Sequence, residues 1–182
     1  MLVFVDVEAS GGSPVTGIMT EFGAVVWPKA ARGWLTYHGV FRQARPSKDN
    51  PAVPEVIHNQ DSWSPWYEIN ENKNPIHVTS ESLVITEFDH WLGSHGRERP
   101  VFVSDNVAFD WQWINCEFWR YLGRNPFGHS GRRISDFYAG LTGDFRNTQK
   151  WKRLRVTPHT HNPVDDAKGN AEAFSRIMKG ER

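Results

Sequence analysis

The sequence predicts an α/β fold in which a sheet of mixed strand direction is flanked by helices. Three apolar runs near the start, over residues 2–7, 22–27 and 35–41, are typical of an antiparallel meander of β-strands. Further along, the apolar run 101–103 precedes a segment with helical periodicity, which indicates a strand–helix unit. A chain of 182 residues with no internal repeat and no linker is expected to form a single domain over residues 1–182.

The helices have their own sequence signals. Residues 80–92 carry apolar side chains at helical spacing, and residues 107–122 carry an apolar stripe that includes Trp111 and stops before Gly123. The last helix is predicted to begin at Asn162 as N-cap, with Pro163 in its first turn. Its expected buried face consists of Ala167, Ala171, Phe174 and Met178.

Two segments give weaker signals. Residues 45–78 are rich in Pro, Asn and Asp and predict a long irregular segment, of the kind that is often functional. Residues 132–141 fit either a strand or a helix, and the sequence does not decide between them. The fold class therefore depends on the remaining elements.

Composition excludes several classes of protein. Equal numbers of basic and acidic residues, 21 of each, disfavour a strongly basic non-specific nucleic-acid binder but leave an enzyme with local basic patches open. The single cysteine, Cys116, excludes an internal disulfide and a cysteine-based zinc cluster. Without a signal peptide or a long apolar run, we expect a cytoplasmic protein with no membrane contact.

Four carboxylates occupy the ends of predicted elements. Asp6 and Glu8 are two residues apart at the end of the first strand, so they face the same side. Two like charges so close repel each other unless cations lie between them, and hard ions such as Mg²⁺ or Mn²⁺ take oxygen ligands. Asp110 and Asp166 lie in the first turns of two helices, where an acid also stabilises the helix end. Asp165 is assigned to that simpler role.

A histidine precedes the last of these acids. The unperturbed pKa of about 6.5 suits His161 to remove a proton from an attacking water near neutral pH. His159 is the alternative base, and a zinc-binding pair of His159 and His161 is a further alternative. The residues therefore predict a metal-dependent phosphodiesterase site.

Three stretches of the chain resemble the motifs of the DEDDh (DnaQ-like) exonuclease superfamily. They are Asp6-Val7-Glu8-Ala9-Ser10, residues 106–110 and residues 161–166. The longer stretches 104–115 and 160–173 are similar to the ribonuclease AS-like 3′–5′ exoribonucleases of mycobacteria and phages. The resemblance implies a ribonuclease H-like fold, with a mixed five-stranded sheet flanked by helices. It also implies a 3′–5′ exonuclease that releases 5′-phosphomononucleotides.

The same resemblance assigns roles to individual residues. Asp6 would contact both of two Mg²⁺ or Mn²⁺ ions, Glu8 and Asp166 would complete one site, and Asp110 would support the other. His161 would be the general base. The implied substrate is the 3′ end of single-stranded RNA, and a homodimer is a further implication. The alternatives are a DNA exonuclease of the same fold and, from another class, a non-catalytic nucleic-acid-binding domain.

Several residues around the motifs are candidates for substrate contact. They are Ala9 and Ser10 for the terminal ribose, Asn106 and Phe109 beside the second motif, Trp113 for base stacking or a dimer contact, and Lys152 and Arg153 for phosphate. The last two belong to a basic run over residues 150–155. The chain departs from the family where relatives commonly have His-Asn, because Asp105 precedes Asn106 here.

Overall fold

The structure is a computed structural model that describes residues 1–41 and 81–181, together with four three-residue strands between them. These strands are β4 (Ala44–Pro46), β5 (Pro54–Val56), β6 (Tyr67–Ile69) and β7 (Pro75–His77), and they form two antiparallel pairs. The segment 45–78, predicted to be irregular, contains these strands apart from the first residue of β4, and the rest of it lies outside the described residues.

The main sheet has five strands in the order β3-β2-β1-β8-β9. The strands are β1 (Leu2–Ala9), β2 (Met19–Ala30), β3 (Gly33–Val40), β8 (Val101–Ser104) and β9 (Arg132–Arg133). The first three are antiparallel, whereas β8 pairs parallel to β1 and β9 parallel to β8. The predicted mixed five-stranded sheet is therefore confirmed, with β1 at its centre.

In the described part of the chain, four α-helices accompany the sheet: α1 (Glu81–Ser94), α2 (Val107–Leu122), α3 (Ile134–Thr142) and α4 (Pro163–Met178). A short 3₁₀ helix covers Lys150–Leu154. The ambiguous segment 132–141 contains both structures that its sequence fits, because β9 runs directly into α3. Within the described part of the chain, no helix combines the length and the apolar character that a membrane span requires.

The side chains of β1 alternate between two hydrophobic layers. Val3, Val5 and Val7 pack on the face covered by α1 and α2, whereas Phe4 packs with residues of α3, α4 and the 3₁₀ helix. Asp6 and Glu8 continue the even-numbered side of the strand. Both acids therefore face the layer that contains α4.

The buried face of α2 differs from the predicted stripe. It follows Asp110, Trp113, Ile114, Glu117 and Phe118, so Trp113 is 1% exposed while Trp111 is half-buried at the edge of the core. The prediction that Trp113 stacks on a base or contacts a second copy is wrong, since its ring lies in the interior. The helix is rotated so that Asp110, one turn before Trp113, meets β1.

The buried face of α4 also departs from the prediction at its end. Ala167 and Ala171 are buried as expected and Phe174 is half-buried, but Met178 is 54% exposed and Ile177 is buried instead. The buried face of the helix therefore ends at position 177 rather than 178. With 3.6 residues per turn, positions 177 and 178 both lie near the side of the helix that carries 167, 171 and 174, and side-chain packing determines which of the two is buried.

Candidate active site

The acids of β1 meet the start of α4 because β2 carries a glycine between them. Gly23 is the register partner of Asp6, and a Cβ atom added to it would lie 2.2 Å from the Pro163 carbonyl carbon. The missing side chain lets the first turn of α4 pack directly on the β1–β2 ribbon. As a result, one carboxylate oxygen from each of Asp6, Glu8 and Asp166 lies within 4.8 Å of the others.

Asp110 reaches the same end of β1 from α2. The side chain is 3% exposed, and its Oδ1 atom accepts a hydrogen bond of 3.1 Å from the Val7 backbone N–H. Burial raises the pKa of Asp110 to about 7, although hydrogen bonding by the Ser104 side chain and by the Val7 backbone opposes the shift. A buried carboxyl with so high a pKa retains its proton in mildly acidic solution unless a cation compensates its charge.

The crowding of acids is strongest at Asp6. Burial raises its pKa to about 8, and the charges of Asp110, Asp166 and Glu8 add to the shift, whereas Arg155 opposes it. The pKa of Glu8 is raised as well, with burial as the largest cause. Asp110 is not one of the three acids whose oxygens lie within 4.8 Å, but its charge is felt at Asp6. Together these carboxylates form a site that favours bound cations.

Asp166 is fully buried and surrounded by donors. Its Oδ1 accepts from the Thr160 N–H at 3.2 Å and lies 2.7 Å from His159 Nδ1, while its Oδ2 accepts from the His161 N–H at 3.1 Å. The guanidinium of Arg155 lies 3.9 Å from Oδ1. The side chain of Asn162 accepts from the N–H groups of Val164 and Asp165, which confirms the predicted N-cap. Asp166 is thus fixed before any metal binds.

The two histidines differ in their surroundings. His161 is 79% exposed, and its Nδ1 lies 3.9 Å from Glu8 Oε1 at the mouth of the site. Its backbone has φ 61°, a left-handed conformation that is uncommon for a residue with a side chain. The His159 ring lies beside it at a tilt of 60°, with ring centroids 4.4 Å apart, and contacts Asp166. His161 therefore faces solvent and His159 faces an acid.

The candidate phosphate contacts lie on the 3₁₀ helix. Lys152 forms an ion pair with Asp105, and Asp105 Oδ1 also accepts a 3.0 Å hydrogen bond from Ser135 Oγ. Asp105, the residue that departs from the family pattern, thus compensates the charge of Lys152, which was predicted to contact substrate phosphate. The Lys152 side chain nevertheless remains partly exposed. Arg153 is exposed on the same helix.

The remaining predicted substrate contacts lie around the mouth. Ser10 is exposed, and its Oγ accepts a 3.2 Å hydrogen bond from the Ile18 N–H, which closes the loop that follows β1 next to half-buried Ala9. Asn106 is exposed at the start of α2 and forms no capping hydrogen bond through its side chain. Phe109 is half-buried and packs against the core.

Sequence reasoning did not predict that Arg155 is buried beside Asp166. It belongs to the basic run predicted to contact phosphate, yet its side chain is 9% exposed and lies beside Asp166. The signal that could have distinguished it lies in α4, where Gly169 and Asn170 follow Asp166 by one turn. A glycine and a polar amide on a buried helix face indicate that another chain segment with a polar side chain packs there.

Comparison with known proteins agrees with this arrangement. No protein-family model matches the chain. A 3′–5′ DNA exonuclease of Escherichia coli, Cap18, is 30% identical over 190 residues, covering 98% of this chain and 92% of its own length. The nuclease domain of 3′hExo, a DEDDh family member solved with bound rAMP, superposes with a TM-score of 0.61 at 16% identity, covering 98% of this chain and 92% of that domain.

A second group of similar structures consists of larger proteins. Exonuclease I of Escherichia coli, solved with a dA16 oligonucleotide, gives a TM-score of 0.54 at 12% identity and covers all of this chain but 41% of its own. Exonuclease I of Methylocaldum szegediense gives 0.59 at 15% identity, again with 100% of this chain and 40% of its own covered. At these identities the structures establish the shared fold.

Proposed function

Because this chain belongs to the DEDDh family of 3′–5′ exonucleases, we propose that Asp6, Glu8, Asp110, Asp166 and His161 form its active site. The observation that supports this most directly is the convergence of Asp6, Glu8 and Asp166, whose oxygens lie within 4.8 Å of one another. Three motifs far apart in the sequence thereby supply one cluster of acids. The alternative of a non-catalytic binding domain gives no reason for burying repelling carboxylates.

The donor set fits hard divalent cations. Carboxylate oxygens, without cysteine and with exposed histidines, suit Mg²⁺ or Mn²⁺ better than zinc. Asp6, Glu8 and Asp166 would hold one ion, and Asp6 with Asp110 would hold a second. Bound there, such ions neutralise the phosphate charge and make water a stronger nucleophile. The family relationship supports divalent metal, and the choice of Mg²⁺ or Mn²⁺ is part of this proposal.

His161 is positioned to handle the proton of the reaction. Its exposed ring at the mouth, 3.9 Å from Glu8, accepts a proton from the attacking water. The water oxygen forms a bond to the phosphorus of the terminal nucleotide, and the bond from that phosphorus to the 3′ oxygen of the preceding nucleotide breaks. The leaving oxygen gains a proton, and the terminal residue departs as a 5′-phosphomononucleotide.

Two substrates are supported by different observations. The motif resemblance predicts single-stranded RNA, with phosphates near Lys152 and Arg153 and the terminal ribose near Ala9 and Ser10. Single-stranded DNA is the second candidate, because the relative that matches the chain over nearly its whole length is named a DNA exonuclease. The homodimer implied by the resemblance stays a prediction.

A gel assay separates these possibilities. Single-stranded RNA and DNA of one sequence, each labelled at the 5′ end, are incubated with the protein in Mg²⁺, Mn²⁺ or EDTA. A ladder that shortens from the 3′ end only with metal is the expected result, and the relative rates identify the preferred sugar. Intact substrate in every lane, with folded protein and an inactive Asp166→Asn control alongside, would contradict the proposed activity.

A further inference from the structure

The guanidinium group of Arg155 lies beside the acid cluster. The side chain of Arg155 is 9% exposed, and its Nη1 atom is 3.9 Å from Oδ1 of the fully buried Asp166. Such a buried cation interacts with neighbouring charges far more strongly than an exposed one, because little water lies between them. Its neighbours in the basic run, Lys152 and Arg153, are much more accessible to solvent.

The guanidinium is anchored in this position from several sides. Its Nη2 atom donates to Asn170 Oδ1, and its Cζ atom lies 5.3 Å from the centroid of the Trp151 ring. The backbone N–H groups of the next two residues, 156 and 157, both donate to Glu172 Oε2 in α4. These contacts keep Arg155 turned toward the acids rather than toward solvent, so it is not free to contact a phosphate.

Gly169 permits this close packing against α4. A Cβ atom added there would lie 2.7 Å from the Thr157 carbonyl oxygen and 3.2 Å from Arg155 Cδ. Any larger residue would push the segment 155–157 away from the helix. The absence of a side chain at Gly169, one turn after Asp166, therefore leaves room for the Arg155 side chain to pack against α4.

We propose that Arg155 is a positioning residue that acts as a permanent counter-cation of the acid cluster. It stabilises the metal-free protein and, because like charges repel, it weakens the binding of divalent cations. This inference rests on the proposed metal site. The same charge that lies 3.9 Å from the buried Asp166 side chain in the metal-free protein would thus set the metal concentration that the enzyme needs.

The two effects have opposite signs, which gives a specific test. In Arg155→Gln the thermal midpoint in EDTA is expected to fall by several degrees. Mn²⁺ binding, measured by isothermal titration calorimetry, is expected to become about tenfold tighter, because the repulsion between the guanidinium and the divalent ion is gone. A residue with a merely structural role would lower the stability and weaken metal binding together.

Two variants control for charge and shape. Arg155→Lys keeps the charge, so its Mn²⁺ affinity should remain within about threefold of wild type even though the contact to Asn170 is altered. Arg97→Gln removes the same charge from an exposed turn after α1, and it should change neither the midpoint nor the affinity. Tighter Mn²⁺ binding in Arg97→Gln to the same extent would overturn the proposal.

The outcomes also separate this inference from the proposed function. Wild-type protein that binds no Mn²⁺ would refute the metal site itself. Wild-type binding with unchanged or weaker binding in Arg155→Gln would leave the metal site intact and overturn the role of Arg155. If Arg155→Gln is unfolded in EDTA, its circular dichroism spectrum should become native as Mn²⁺ is added, and a chain that stays unfolded at saturating metal would overturn the role.

Discussion

Asp110 and Asp166 occupy equivalent positions in two helices yet have very different surroundings. Each lies in the first turn of its helix, and they are 3% and 0% exposed. Asp166 is contacted by two backbone N–H groups, His159 and Arg155. Asp110 accepts a hydrogen bond from the Val7 backbone, and among the described residues it forms no ion pair. The two acids are thus buried to nearly the same extent, but Asp166 has more groups around it that can compensate a negative charge.

The difference shows that two acids of the proposed site have separate electrostatic surroundings. Asp166 is oriented by fixed partners, two backbone N–H groups and the side chains of His159 and Arg155. The pKa of Asp110 is raised to about 7, so near neutral pH this carboxyl changes protonation state with small changes in conditions. We expect Asp166 to determine where a cation binds and Asp110 to respond to its arrival.

The largest expected effect concerns Asp166 and its neighbour. Asp166→Asn should reduce kcat/KM by about a thousandfold or more, because a metal that supplies several kcal/mol of transition-state stabilisation loses a ligand. Asp165→Asn should stay within about threefold of wild type, since that acid lies at the helix end outside the cluster. Similar losses in both variants would show that the helix start, rather than the carboxylate position, matters.

The second-largest effect on activity is expected for the two histidines near Asp166. His161→Ala should lower kcat by about 10²–10⁴-fold while Mn²⁺ binding persists, as expected for a general base. His159→Ala should cost less, because its ring contacts Asp166 rather than the mouth of the site. Single-turnover rates in both variants measure this, and a larger loss in His159→Ala would make His159 the base.

The raised pKa of Asp110 predicts that the stability of the protein depends on pH. A carboxyl whose pKa is raised on folding binds more protons in the native than in the unfolded state between about pH 4 and 7, so stability falls as pH rises through that window. Asp6, with a pKa of about 8, extends the window upward. Metal-free protein should therefore be more stable at about pH 5 than at about pH 9 in urea unfolding with EDTA, and saturating Mn²⁺ should reduce the difference.

A single substitution measures how much Asp110 contributes to this pH dependence of stability. Asp110→Asn keeps an acceptor for the Val7 N–H but carries no charge, so at about pH 9 it should raise the metal-free unfolding free energy by about 1–3 kcal/mol. Near pH 5 the gain should be small because Asp110 is already protonated there. A variant less stable than wild type at the higher pH would contradict the assignment of the pKa.

The smallest effect is expected at Asp105. Asp105→Asn releases Lys152 from its ion pair and removes a negative charge near the substrate path, so KM should fall by about two- to threefold. Because the gain comes from a phosphate contact, it should shrink when the salt concentration is raised. An unchanged KM at low salt would show that Lys152 does not contact substrate.

Local patterns in the sequence were sufficient for several features of the fold. The apolar run of β1, the helical spacing of α1 and the Asn162–Pro163 start of α4 depend on neighbouring residues, and all three elements are confirmed. The acids Asp6, Glu8 and Asp166 were recognised because each motif combines its residues within a few positions. Trp113 and Met178 were misplaced because helical periodicity alone does not fix the rotation of a helix against its neighbours.

The sequence by itself determined the strands β1, β2, β3 and β8, the starts of α1, α2 and α4, and the family to which the chain belongs, because these depend on short-range spacing and on motif chemistry. Only the tertiary structure decided which residues of the basic run stay accessible to solvent and which are buried. Lys152 pairs with Asp105 from another element, and Arg155 is buried between α4 and the 3₁₀ helix. Cations of one basic run differ in burial and in partners because these properties arise from segments that are distant in sequence and meet only on folding.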